Sequence, residues 1–118
     1  MGQLHYGNSD TRIEIPDRLL AHLKVVIATK LRRNESFMMS WTSDEGRSSI
    51  WLQPSIPLRF VFESADMEIL NPAAVRDLAN AATSSAGLMV ALDQEIPEAP
   101  QRELRPVTAG VPRLKVPA

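Results

Sequence analysis

The run Ser36-Phe37-Met38-Met39-Ser40-Trp41-Thr42-Ser43-Asp44-Glu45-Gly46-Arg47-Ser48-Ser49-Ile50-Trp51-Leu52-Gln53 decides how this chain folds. Its first part alternates Phe37, Met39 and Trp41 with Met38, Ser40 and Thr42, the two-residue period of a strand. Ser43–Arg47 is a compact turn, and Ser48–Gln53 returns as the partner strand. A turn centred on Glu45 sets Trp41 against Ser49 and Met39 against Trp51, so that Phe37, Met39, Trp41 and Trp51 share one face. Met38, Ile50 and Leu52 then fall on the other. Both faces are apolar, and helices of modest length cover only one of them. The surplus face is expected to be core, a protein interface or a base-stacking platform, in that order.

Outward from the hairpin, the pattern continues on both sides. Upstream, Leu4 and Tyr6 alternate with polar neighbours, Gly7-Asn8-Ser9-Asp10 supplies turn chemistry, and Ile13 and Ile15 alternate again, which predicts a first hairpin. Pro16 and Asp17 open a helix, and Leu19, Leu20, Leu23, Val26, Ile27 and Leu31 fall within an arc of roughly 140° on it. Asn34 ends that helix. Downstream, Pro54 and Pro57 exclude a central strand between them. Leu58–Glu63 is a strand with Leu58, Phe60 and Phe62 on one side. Asn71 caps a second helix with Pro72 at its first position, and Leu88–Leu92 is a last buried strand. The expectation is an α+β fold of order β-β-α-β-β-β-α-β, with an antiparallel or mixed sheet of about six strands and two helices on one face.

Composition sets the boundaries. At 118 residues, 44% hydrophobic and 23% charged, the chain suits one domain. Residues 93–118 hold five of the nine prolines and no aromatic, so 1–92 is expected to be the folded domain and 93–118 a Pro-rich flexible tail. A formal charge of -1 supplies no global field for nucleic acid or an anionic membrane. The longest apolar run, Leu88–Leu92, is far short of the ~20 residues a membrane helix needs. Met1–Tyr6 lacks the layout of a secretion signal. A cytoplasmic protein with no membrane partner is expected.

The opening Met-Gly-x-Leu-x-Tyr-Gly, the stretch Asp17–Ile27, Lys30–Phe37, Ser49–Leu58 and Asn80–Leu88 resemble a family of small uncharacterised actinobacterial proteins. The resemblance covers residues 1–92. Many members carry the label "ATP-dependent DNA ligase". Ligase chemistry of that kind needs a nucleotidyl lysine in a Lys-x-Asp-Gly setting. Here Lys24 precedes Val-Val-Ile, Lys30 precedes Leu-Arg-Arg and Lys115 precedes Val-Pro-Ala. The label is therefore not expected to describe an activity of this chain.

Other chemistry is equally sparse. With no cysteine there is no disulfide, thiolate zinc site or thiol nucleophile. His5 and His22 lack companion ligands and are expected at the surface. No Gly-x-Ser-x-Gly surrounds a serine. No catalytic residue, metal site or cofactor is expected. The first helix does carry Arg18, Lys24, Lys30, Arg32 and Arg33 against the single acid Asp17, and Arg18, His22, Arg32 and Arg33 share the arc opposite its apolar stripe. Two functions follow as expectations. The first is a non-catalytic interaction domain that binds itself (a homo-oligomer) or another protein through Phe37, Met39, Trp41 and Trp51. The alternative is a nucleic-acid accessory protein that contacts phosphates through Arg18, His22, Arg32 and Arg33.

Overall fold

The computed structural model describes residues 1–98. Its elements are β1 (Gly2–Tyr6), β2 (Arg12–Ile15), α1 (Asp17–Arg32), β3 (Phe37–Ser43), β4 (Gly46–Leu52), β5 (Leu58–Val61), α2 (Pro72–Thr83) and β6 (Leu88–Val90). Class and element order are those the sequence implies. The six strands do not form one sheet, however. They divide into an antiparallel sheet of order β2-β1-β5 and a mixed sheet of order β4-β3-β6, in which β6 runs parallel to β3. Nor do the helices share one face. α1 packs on β1, α2 packs on β3 and β6, and the two helices pack on each other. Pro54 and Pro57 lie where the chain leaves one sheet for the other, a place where missing ladder donors cost nothing.

A single core joins both halves. Leu4, Ile13 and Ile15 from the antiparallel sheet meet Leu19, Leu20, Leu23, Val26 and Ile27 of α1. Phe37, Met39, Leu52, Leu88 and Val90 from the mixed sheet complete it with Leu78 and Ala82 of α2. Outside the core, the Tyr6 hydroxyl donates to the Trp51 carbonyl at 2.6 Å, linking β1 to β4.

The ends of α1 show why it stops and starts where it does. Asp17 turns its carboxylate outward to accept the backbone N–H groups of Glu63 and Ser64 at 3.0–3.2 Å, fixing the end of β5 to the start of the helix. At the other end Asn34 adopts φ 64°. The Asn34 N–H donates to the Leu31 carbonyl and the Glu35 N–H to the Lys30 carbonyl, which closes the last turn as a Schellman motif. Asn71 caps α2 as expected, accepting from the N–H groups of Ala73 and Ala74.

Packed chain continues beyond Asp93. Ile96 is buried, and the Pro97 carbonyl accepts hydrogen bonds from Arg18 and Asn71. Residues 93–98 of the expected tail are thus in contact with α1 and the start of α2, and its remainder, 99–118, lies outside the described residues.

Candidate functional site

The hairpin closes one residue earlier than its sequence suggests. Ser43 pairs with Gly46, leaving Asp44 and Glu45 as a two-residue loop, and Gly46 takes φ 112°, a conformation suited to glycine. Every partner downstream shifts accordingly: Trp41 faces Ser48, Met39 faces Ile50, Met38 faces Trp51 and Phe37 faces Leu52. A slip of one residue exchanges the faces of a strand. Phe37 and Met39 are buried and Trp41 is half-buried, on the side that carries Ile50 and Leu52. Trp51 lies on the opposite, outer face with Met38. The four expected interaction residues are therefore not one surface, and Ile50 and Leu52 do not belong to the outer face.

That outer face is nonetheless apolar and open. Trp51 is 46% exposed, Met38 38% and Met89 56%. Trp51 and Met38 are cross-strand neighbours, and Met89 pairs with Ser40, the next outward residue along β3. The Ser40 and Ser49 hydroxyls bond to each other at 2.6 Å and so spend their polarity locally. Gly87 makes the close approach of β6 to β3 feasible: at φ 81°, a Cβ there would stand 2.7 Å from the Met38 carbonyl oxygen. Met89 carried no sequence signal, because Leu88–Leu92 reads as uniformly buried; only the pairing of β6 at a sheet edge turns it outward.

The basic arc of α1 does not survive folding as a surface. His22 is fully buried rather than superficial. Its Nδ1–H donates to the Arg18 carbonyl at 2.8 Å and its Nε2 accepts the Asn71 N–H at 2.9 Å. Arg18 bends over the same flank: Nε donates to the Ile96 carbonyl, Nη1 to that of Ile69 and Nη2 to that of Pro97, at 2.8–3.0 Å. The Asn71 side-chain amide donates a further hydrogen bond to the Pro97 carbonyl at 2.7 Å. The three side chains form a structural clamp that holds the segment before α2 and the segment after β6 against α1. Of the four expected anion contacts only Arg32 and Arg33 remain exposed. Lys30 reaches Glu35 at 3.2 Å and the Thr83 hydroxyl, and Lys24 sits 5.7 Å from the centre of the Phe62 ring.

A cleft of about 190 Å³ lies between α1 and residues 62–70, lined by Ala21, Lys24, Val25, Phe62, Met67 and Leu70 among others. It is below the roughly 300 Å³ at which ligand pockets usually begin. Among the described residues no group of three or more His, Asp or Glu side chains is placed to hold a metal ion, and no helix is long and apolar enough to cross a membrane.

Comparison with known proteins places the chain in one family: it belongs to the family described as a domain of unknown function (DUF7882), which matches residues 1–93. No curated protein and no solved structure matches it.

Proposed function

With membership of that family as the premise, we propose that this is a non-catalytic association domain, binding protein (itself or another) through the open side of its mixed sheet. One observation carries the reading. Trp51, Met38 and Met89 stand exposed together on a sheet whose inner face already supplies the core. Tryptophan and methionine are enriched where proteins meet, and an aromatic anchor beside flexible thioethers adapts well to a partner surface. The nucleic-acid alternative loses support from the diversion of Arg18 and His22 into the clamp, which leaves a two-arginine remnant at the end of α1.

The test is site-specific photo-crosslinking in cells. A photoreactive phenylalanine analogue at position 51 is expected to yield a protein adduct, and the same group at Glu14 on β2 is not. Equal yields at the two positions, or none at 51, would overturn the reading.

A further inference from the structure

Resting on that reading, we propose that the partner is a second copy of this chain, paired antiparallel along β4 with Ser49 of each copy on the two-fold axis. Four strands lie at the sheet edges: β2, β5, β6 and β4. β2 has only four residues, presents the charges of Arg12 and Glu14 and ends at Pro16. β5 has four residues, follows Pro57 and carries Arg59. β6 has three. Short length, charge and proline are the devices that keep sheet edges from pairing with another chain. β4 has none of them. It runs seven residues in unbroken register, without proline and with Arg47 as its single charge, and among the described residues no strand pairs with its outer side, which the Tyr6 hydroxyl meets at the Trp51 carbonyl.

The open side has a defined set of hydrogen-bonding groups. The Trp51 carbonyl points away from β3, where one of its two lone pairs accepts from Tyr6 and the other is left for the N–H of a partner strand. Alternation along an antiparallel strand gives the backbone groups of Ser49 and Arg47 the same outward direction. A two-fold axis through any residue from Arg47 to Trp51 pairs these outward groups reciprocally, because hydrogen-bonded and non-hydrogen-bonded pairs alternate along the ladder; an axis at Ser49, the middle residue of β4, is the one that pairs the strand over its whole length.

Charge selects among them. An axis at Arg47 sets one guanidinium against its own copy. An axis at Trp51 sets Pro54 opposite Ser48 and so runs the pairing off the end of β4. An axis at Ser49 joins the two Ser49 residues by reciprocal backbone bonds and sets Arg47 of each copy directly across from Trp51 of the other. Both side chains lie on the outer face, so this register places a cation beside an aromatic ring twice, once on each side of the axis. In that register the strand is complementary to itself over all seven residues. The product is a six-stranded sheet, β6-β3-β4 continued by the same strands of the second copy in reverse order, and the longest edge of the monomer disappears.

The chain has no cysteine, which permits a clean test on the full-length protein. Residues facing each other across the axis have Cα atoms about 5.5 Å apart, within disulfide range. Ser49→Cys is therefore expected to form a disulfide-linked dimer under mild oxidation. Thr42→Cys, exposed on β3, is expected to remain unlinked at the same concentration. Wild-type protein is expected to sediment at twice the chain mass, and Arg47→Glu to weaken the dimer by about tenfold through loss of both cation–ring contacts. A wild-type dimer in which the two cysteine variants cross-link equally overturns the β4 register and leaves the association reading standing. A wild-type monomer at all concentrations overturns the second copy. The position-51 adduct then separates the cases: a different protein preserves the reading, an internal link to residues 99–118 assigns the face to this chain's own C-terminal segment, and no adduct ends both.

Discussion

The two sheets of this domain are built from the same number of strands and treat their surroundings oppositely. In β2-β1-β5 the central strand is the first of the chain, and its neighbours are short, charged and bounded by prolines. In β4-β3-β6 the central strand belongs to the longest hairpin among the described residues, its outer face is apolar and exposed, and its long β4 edge has no strand beside it. The antiparallel sheet shows what the sequence does when a surface is meant to stay in water, so the different treatment of the mixed sheet carries information.

The largest expected effect tests the buried side of this contrast. Leu4, fully buried at the centre of the antiparallel sheet, is expected to cost about 3–5 kcal/mol of stability on substitution by alanine. Met38→Ala on the outer face of the mixed sheet is expected to stay within about 0.5 kcal/mol of wild type under conditions that keep the chain monomeric. Denaturant titration of both variants measures the difference, and equal losses would erase the distinction. Next comes Gly87→Ala, which places a Cβ against the Met38 carbonyl at a positive φ; a loss of about 1–3 kcal/mol is expected by the same titration. The smallest is Tyr6→Phe. It removes the hydroxyl that joins β1 to β4, with a loss of about 0.5–1.5 kcal/mol expected, and hydrogen exchange should rise in β4 while β2 is unaffected.

Much of the fold is legible in the residues because each element announces itself locally. Pro16-Asp17 and Asn71-Pro72 open helices with their own caps or ring constraints, and the alternation in Phe37–Thr42 fixes a strand without help from elsewhere. Three features escape for a common reason: each is decided by a pairing or a register between elements rather than by the pattern within one. The split into two sheets depends on which strands find each other. The faces of the hairpin turn on a single residue of register, and the clue was Gly46, which can take a positive φ immediately after a two-residue loop. His22 lies about 40° outside the apolar stripe on a helical projection, adjacent to Val26, so the wheel already placed it at a border. Its burial comes from Asn71 and Arg18, and from the segments they hold, which no helical periodicity contains. The candidate site follows the same rule. Trp51 and Met38 were visible as large apolar residues, but their common face was not.

The grip of Arg18 and Asn71 on the carbonyls of Ile96 and Pro97 bears on where this protein tolerates being cut. A gene stopped after Asp93, where the family match ends, would encode a molecule whose guanidinium fork has lost two of its three acceptors, with one flank of the long helix opened to water. The shortest fragment expected to keep that grip intact therefore reaches Pro97.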